Sequence, residues 1–470
     1  MRLLLCVVVC LALVACHKTN SYQKLSPEAA AQARLDWNLK TTVEAYNRIG
    51  GSYAAWDGFA TNALIEFAQP EAAPSRTGAF SGQQDWAIII RTNCAAAVQA
   101  GCDDPMIRYL YIRFCMDQTH SAEDFSREFC RVARDMQKSA YPEIRKFYAS
   151  AHALDQLFYA YGTNVDLNTV NELANNIEST LTQIAADKST PPEEAYEACS
   201  LGLHEVSRSK SEYENLYHKI EQPLFQNWPE ESTCWLLKGE AYITFAWQAR
   251  GSGYANTVTE EGGKTFTSDL AVAENALNRA WNLNPTDPRI PLQMMTVVLG
   301  QGKDRDEMES WFERAMALNP SDYDICSKKL YYLEPKWYGS AGDMLDFGRE
   351  CVQNTNWGGR VPLILVDAHY NICNEYTDEA DRTNYWQQPD VWADIKSAYK
   401  RFFQLHPDDT SSIPYYAWYA YHAEDWDKLN ELIPKLSPAN YAFFGGKDGY
   451  DKMIQLAKEH ASPPAAAPSQ

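Results

Sequence analysis

The sequence predicts an all-α protein in which helical hairpin repeats follow an N-terminal helical region. A Leu-Asn-Pro-x-Asp motif begins at Leu283 and again at Leu318, and its two prolines lie 35 residues apart. A fixed period of this length, with apolar residues at helical spacing before each motif, indicates stacked pairs of helices. No run of alternating β-branched residues predicts a sheet, and the best strand candidate, 88–90, lies inside a helical pattern.

The N-terminus predicts export and a lipid anchor. Arg2 precedes an apolar run that is typical of a secretory signal and too short to cross a bilayer as a mature helix. The run ends in Leu-Val-Ala-Cys at 13–16, which resembles the lipobox of bacterial lipoproteins. This resemblance implies a signal peptide at 1–15, a diacylated Cys16 and a polar, lipidated tether at 16–25. The alternative is an ordinary export signal with a chance cysteine. His17, in place of the Asp associated with inner-membrane retention in some bacteria, favours the outer membrane, facing the periplasm or the surface.

The predicted N-terminal helical region, 26–230, contains successive amphipathic segments. Ser26 is the expected cap of a first helix that ends near Arg48. Further helices are expected at about 54–68, 83–99, 104–117, 121–161, 166–187 and 191–209. Ser121 and Thr190 each begin a predicted capping box. The Pro, Gly, Ser and Ala residues of 70–82 predict a linker or a surface loop.

The predicted repeat domain, 231–460, contains further copies of the proline motif. His-Pro-Asp-Asp at 406–409 ends a third copy, and 436–438 is a degenerate fourth. Each proline is expected to end the second helix of a hairpin, with the following Asp or Ser as cap of the next helix. Since one hairpin cannot bury its apolar face alone, successive hairpins are expected to stack into a curved array. The low-complexity tail 461–470 is expected to be disordered.

The period and the alanines at closely packed positions (Ala276, Ala280, Ala315) resemble tetratricopeptide repeats, so the array is predicted to be a tetratricopeptide-like solenoid. Over about 235–457 the chain also resembles an uncharacterised bacterial tetratricopeptide-repeat-like family, a domain of unknown function found in exported or anchored proteins. The matching stretches are AWQARGSGYA at 246–255, WFERAM at 311–316, KLYYLEPKWYGS at 329–340 and FGREC at 347–351. The resemblance implies a helical-repeat fold and no assigned activity.

The charge of the chain argues against two classes of partner. The chain has 42 Lys and Arg against 62 Asp and Glu, a formal net charge of −20, with no acidic run. Nucleic acids and anionic lipid headgroups both require clustered cations, so neither is an expected ligand. The 14 Trp and 28 Tyr suit either packed helix cores or surfaces that stack on ligands.

Nine cysteines follow Cys16, and in an oxidising compartment some of them are expected to form disulfides. Cys94 with Cys102 and Cys115 with Cys130 are the local candidate pairs. Nine is an odd number, so at least one thiol is expected to be free.

Two segments carry candidate ligand-binding residues. The first is the glycine-rich stretch 250–264, a connection of about fifteen residues, and loops of that length on a rigid scaffold often bind ligands. Its candidate contacts are Arg250, Tyr254, Glu260 and Glu261. The alternative is a flexible connection in which Arg250 pairs with a nearby carboxylate.

The second segment is a basic and aromatic corner with the candidate residues Arg314, Lys329, Lys336 and Trp337. This corner is suited to a carboxylate or a sugar, with Trp337 as the stacking platform. The alternative is that Trp337 packs across a turn between hairpins while the lysines stay solvated.

No motif predicts catalysis, a metal or a cofactor. The sequence has no Gly-x-Ser-x-Gly elbow, no phosphate-binding Gly-x4-Gly-Lys run and no His-Glu-x-x-His. His369 and Cys373 lie four residues apart on one helical face, but third and fourth ligands are missing.

The sequence therefore predicts a non-enzymatic lipoprotein of the cell envelope that binds a protein or peptide, or acts as a scaffold, through its helical repeats. The rival hypothesis is a glycan-binding or glycan-processing protein with exposed Trp and Tyr. A processing enzyme would need two carboxylates about 5–10 Å apart across a cleft.

Overall fold

A computed structural model describes residues 25–49, 55–72, 84–116, 120–209, 213–253 and 255–460. The predicted signal peptide, Cys16, most of the predicted linker, Tyr254 and the tail 461–470 lie outside these residues. No described helix is long and apolar enough to cross a membrane.

All regular structure in the described residues is helical, which confirms the predicted all-α class. The chain divides into two compact units, 1–237 and 238–470, whereas the sequence predicts a boundary between 230 and 231. The described α-helices up to this division are α1 (Pro27–Thr41), α2 (Val43–Ile49), α3 (Asp57–Ala68), α4 (Asp85–Gln99), α5 (Pro105–Cys115), α6 (Ala122–Lys138), α7 (Glu143–Tyr161), α8 (Leu167–Ala186), α9 (Pro192–Arg208), α10 (Tyr213–Asn227) and α11 (Ser232–Arg250), which contains it.

The described α-helices of the second unit that follow are α12 (Glu260–Leu283), α13 (Arg289–Gln301), α14 (Arg305–Leu318), α15 (Tyr323–Tyr332), α16 (Ala341–Gln353), α17 (Ile364–Asn374), α18 (Glu379–Trp386), α19 (Pro389–Leu405), α20 (Ile413–His422), α21 (Trp426–Leu432) and α22 (Lys447–Glu459). Short 3-10 helices occur at Pro70–Ala72, Gly162–Asn164, Ala255–Thr257, Val361–Leu363, Ile433–Lys435 and Pro438–Phe444.

Two helices of the first unit are shorter than predicted, because each predicted segment contains a break. The first segment divides into α1 and α2 at Thr42, where the hydroxyls of Thr41 and Thr42 donate to the carbonyls of Trp37 and Asn38 at 2.9 and 2.7 Å. Such back-bonding by adjacent Thr residues often bends a helix. The segment 121–161 divides into α6 and α7 because the backbone is extended at Ser139, which ends α6, and Pro142 then occupies the cap position of α7.

Of the two predicted capping boxes, one forms and the other does not. Ser121 and Asp124 form a complete capping box at the start of α6. The box predicted at Thr190 is wrong, because α9 begins at Pro192 and its cap position is Pro191, which has no side-chain oxygen. Thr190 lies one residue too early to cap this helix, and its side chain is buried instead.

The repeat motif ends helices where the sequence predicts. Helices α12, α14 and α19 end at Leu283, Leu318 and Leu405, each two residues before a proline. After the second motif, the carboxylate of Asp322 accepts from the backbone N–H groups of Asp324 and Ile325, which caps α15.

Helices of the second unit pack mainly on neighbours one or two places along the chain. Helix α13 contacts α12, α14 and α15, and α17 contacts α15, α16 and α19. Ala276, Ala280 and Ala315 are buried at these contacts, as predicted. This packing is the one expected for stacked hairpins. The tetratricopeptide-like form of the array stays a prediction.

A glycine allows close contact between α16 and α17. A Cβ atom on Gly348 would lie 2.8 Å from the Cα of Leu365, inside normal van der Waals distance. Only glycine therefore lets the two backbones approach this closely without a shift.

All nine cysteines among the described residues are free thiols, so neither predicted local pair forms in this structure. Burial raises the pKa of Cys115 to about 11, and Arg91 acts in the opposite direction. Burial also raises the pKa of Cys130, whose polar neighbours are Arg134, Ser126 and Glu172. The two thiols thus lie in different surroundings, although only fifteen residues separate them in the sequence.

Candidate functional site

A cavity of about 830 Å³ opens among α14, α15 and α16 in the second unit, and we refer to it as the α14–α16 groove. Its lining residues are Arg305, Glu309, Phe312, Glu313, Met316, Ala317, Pro320, Lys329, Asp343, Asp346, Phe347, Glu350, Asn356 and Trp357. Along α14 and along α16, successive lining residues are one, three or four positions apart in the sequence. Because i, i+3, i+4 and i+7 share one face of a helix, one face of each helix forms a wall.

Aromatic rings form the apolar part of the groove. The rings of Phe312 and Phe347 meet edge to face at 5.5 Å, and Phe312 meets Trp357 in the same way at 5.7 Å. Phe312 and Phe347 are each only 3% exposed, so they are held by the core beneath. Edge-to-face contacts leave part of each ring face available to other groups.

Lys329 carries a buried ammonium group beside these rings. Its side chain comes from α15, and the residue is 4% exposed. The Nζ atom lies 4.1 Å from the ring centroid of Phe312 and 4.4 Å from that of Phe347. The same atom forms an ion pair with Oε2 of Glu309 at 2.6 Å. Buried charges require such compensation, and this one has both a carboxylate and two aromatic faces.

Carboxylates occupy both walls of the groove. They are Glu309, Glu313, Asp343, Asp346 and Glu350, against the two cations Arg305 and Lys329, so the lining has a formal net charge of −3. Arg305 pairs with Glu309 of its own helix at 3.1 Å and with Asp343 of α16, also at 3.1 Å. The hydroxyl of Ser340 and then the guanidinium of Arg305 lower the pKa of Asp343, which keeps this carboxylate ionised.

Two of the five carboxylates have no cationic partner in the part of the chain that the structure describes. These are Glu313 of α14 and Glu350 of α16, both exposed. Each follows an aromatic residue of the lining, Phe312 in one helix and Phe347 in the other. Each of the two walls therefore contributes one exposed carboxylate that has no cation among the described residues.

The structure brings Arg250 and Trp337, from the two predicted segments, into one aromatic cluster. The Cζ of Arg250 lies 5.5 Å from the ring centroid of Trp247 and 5.8 Å from that of Trp337. The two indoles meet edge to face at 5.9 Å, and the ring N–H of each is buried without a hydrogen-bond partner among the described residues. Lys336 lies at the edge of this cluster, with Nζ 4.6 Å from the ring centroid of Tyr331. Trp337 therefore packs against its neighbours, as the alternative reading of this corner supposes. The other half of that reading, solvated lysines, is wrong for Lys329, which is buried.

The loop predicted at 250–264 is shorter in the structure, so its predicted length is wrong. The reason is that Thr259 caps α12, its hydroxyl accepting from the N–H of Gly262 at 3.1 Å. Glu260 and Glu261 consequently lie in the first turn of α12, where carboxylates stabilise the helix N-terminus. Arg250 donates to the carbonyls of Gly251 and Gly253 at 3.2 and 3.0 Å, and within the described residues it has no carboxylate partner.

Among the predicted candidates that the structure describes, Lys329 alone lines the α14–α16 groove. Arg314 lies on α14 but outside the lining, with its guanidinium 4.2 Å from the ring centroid of Trp311. Sequence reasoning missed Glu313 and Glu350. The available signal was the helical spacing of acidic and aromatic residues in 305–317 and 343–350.

No group of three potential metal ligands occurs among the described residues. His369 uses both ring nitrogens in hydrogen bonds, Nδ1 with the hydroxyl of Tyr385 at 2.8 Å and Nε2 with Asp394 at 3.2 Å. Burial lowers the pKa of His369, and Asp394 opposes this effect.

No protein-family model matches the chain, and no curated protein sequence matches it. The family resemblance thus stays a prediction that depends on the stretches quoted above.

Proposed function

We propose that the protein is a non-enzymatic binding or scaffolding lipoprotein of the bacterial cell envelope, and that the α14–α16 groove holds a segment of a polypeptide partner. The observation that carries this proposal is the groove itself. Its volume of about 830 Å³ lies within the range of 300–1,000 Å³ that is typical of ligand sites. Its aromatic rings and its polar rim are the usual combination of anchor and orienting groups.

The predicted export signal and the predicted lipid at Cys16 support an envelope location. A short polar tether would keep the folded units close to the membrane surface, with the outer membrane as the favoured site. Tetratricopeptide-like hairpins, if stacked as predicted, suit extended ligands because one helix of each pair lines a continuous surface.

The role of the groove in binding can be tested with a variant whose larger side chain fills it. Ala317 is exposed and lies in the lining, so Ala317→Trp adds a bulky side chain there without removing a core contact. Ala271→Trp, on an exposed position of α12, is the matched control. Peptides selected from a displayed random library against the mature protein should lose at least tenfold in affinity with Ala317→Trp and less than twofold with Ala271→Trp. Equal affinity for both variants, or no selected peptide, would reject the proposal.

A second candidate function is glycan binding or processing. It is favoured by one observation: each wall of a groove that also contains Trp357 has a carboxylate that is unpaired within the described residues. Two facing carboxylates are the minimum for glycoside hydrolysis. Glycan-array binding and release of reducing sugar by the mature protein would test it, with Glu313→Gln/Glu350→Gln as the inactive control. Flat signals across all sugars would exclude this candidate.

A further inference from the structure

We infer that the polypeptide segment held by the α14–α16 groove is basic, with Lys or Arg side chains that pair with Glu313 and Glu350. This inference depends on the proposed function and adds the chemistry of the partner. The cavity and its aromatic rings provide the site, and the excess of carboxylates in the lining makes this site negatively charged. An anionic or neutral segment would leave that charge uncompensated.

The chain's own Lys329 shows what the lining residues do with a cation. Its ammonium lies against Phe312 and Phe347 at 4.1 and 4.4 Å and pairs with Glu309 at 2.6 Å. This arrangement combines an ion pair with cation–π contacts. The groove therefore already binds one ammonium group, that of Lys329, through side chains from both walls.

Glu313 and Glu350 offer exposed carboxylates of the same lining to a cation from outside. Glu313 lies one helical turn beyond Glu309 on the same wall, and Glu350 lies three residues beyond Phe347 on the other. In the described part of the chain neither carboxylate has a cation of its own, so a ligand does not have to displace an existing ion pair. Trp357 and Phe312 lie beside them in the same lining.

One exposed ion pair contributes little to affinity, so the groove is expected to recognise at least two basic side chains together. The alkyl stems of Lys and Arg can lie along apolar rings while their charged ends reach the carboxylates. The apolar contact with Trp357, the half-buried ring of the lining, then adds to the two ion pairs. A free divalent cation fits less well, since no group of three metal ligands occurs among the described residues.

The test uses three fluorescein-labelled twelve-residue peptides that alternate Ala with Lys, with acetyl-lysine or with Glu. Their binding to the full mature protein is measured by fluorescence anisotropy at 50 and 500 mM NaCl. The Lys peptide should bind at least tenfold more tightly than the other two, and high salt should weaken it, because salt screens exposed charges. Glu313→Gln/Glu350→Gln should weaken it about tenfold.

The matched control is Glu44→Gln/Glu379→Gln, which removes two charges from exposed positions outside the lining. It should change affinity less than twofold; an equal loss in both double variants would overturn the inference, since only overall charge would then matter. If acetylated or acidic peptides bind as tightly as the Lys peptide and Ala317→Trp still abolishes binding, the proposed function stands and the inference fails. If Ala317→Trp changes the binding of none of the three peptides, both fail.

Discussion

Lys329 illustrates what a sequence can and cannot reveal about a single residue. It was recognisable as part of a basic and aromatic corner, and it does lie in the candidate site. Its burial was not recognisable, because burial depends on Phe312 and Phe347 from two other helices. Arg250 and Trp337 show the same limit, since they come from separate segments and meet only in the folded second unit.

Removal of the buried ammonium should destabilise the protein. Lys329→Met keeps the alkyl stem but loses the ion pair and both ring contacts, while Glu309 retains Arg305. We expect a loss of about 1–3 kcal/mol in the free energy of unfolding. Urea unfolding followed by far-UV circular dichroism measures it. Lys336→Met, at an exposed ion pair, should change stability by less than about 0.5 kcal/mol; similar midpoints for the two variants would contradict the role given to Lys329.

Glu205 should make the stability of the protein depend on pH. Burial raises its pKa to about 7 from the usual 4.5, with Arg208 acting in the opposite direction. The folded protein therefore binds more protons than the unfolded chain between these values. This contribution to stability is present below the lower value and is lost as pH rises through the higher one.

Glu205→Gln should remove this pH dependence. Between pH 5 and pH 8 the wild-type protein is expected to lose about 1–2 kcal/mol more than the variant, as measured by urea unfolding at each pH. Glu44→Gln, at an exposed position of α2, should leave the wild-type pH profile unchanged. Parallel profiles for the wild-type protein and Glu205→Gln would show that this carboxyl does not titrate in the window.

At the scale of elements, local signals in the sequence predicted most helix ends, but they did not predict the break between α1 and α2 at Thr42 or the start of α12 after Thr259. Prolines and capping side chains act within a few residues, so the ends at Leu283, Leu318 and Leu405 could be predicted. The break at Thr42 and the cap at Thr259 were missed although both are local, because the helical pattern runs on through Thr42 and the glycines around Thr259 predict a loop. Neither wall of the groove was predicted as a site, since the walls belong to helices of successive hairpins.

The contact between α16 and α17 gives a test with two glycines in one helix. Gly348→Ala would place Cβ 2.8 Å from the backbone of Leu365, whereas the nearest atom to a Cβ on Gly342 is Ser340 Oγ at 3.6 Å. We expect Gly348→Ala to destabilise by about 1–3 kcal/mol through overpacking. Gly342→Ala should be neutral or stabilising by up to about 1 kcal/mol, since Ala favours helix. Urea unfolding separates the two, and equal shifts would refute the close approach.

At the scale of the whole molecule, composition and patterning predicted the all-α class, because helical periodicity is visible along the entire chain. The division at 237/238 falls within α11, a position that no break in periodicity marks. The predicted disulfides did not form in the structure, since sequence spacing says little about which buried faces carry two thiols. The net charge of −20 is spread along the chain, and the groove lining has a local excess of carboxylates over cations.

The predicted anchor has a direct test. If Cys16 is diacylated, two acyl chains should hold the protein on membranes, because two chains give stable attachment where one does not. Cys16→Ala should move the protein to the soluble envelope fraction, as measured by fractionation and immunoblotting. Mass spectrometry of the wild-type N-terminus should find a lipid-modified Cys16; an intact Met1 would contradict both the signal peptide and the anchor.

Arg305 joins a carboxylate of α14 to one of α16 at the rim of the groove, before any ligand is present. Below it, the edge-to-face contact of Phe312 in α14 with Phe347 in α16 fixes the spacing of the two walls through the buried core. A polypeptide ligand then has to fit side chains at fixed positions, and the two walls do not have to move when it binds. Preorganisation of this kind lowers the entropic cost of association and discriminates between partners by the interval between their basic residues.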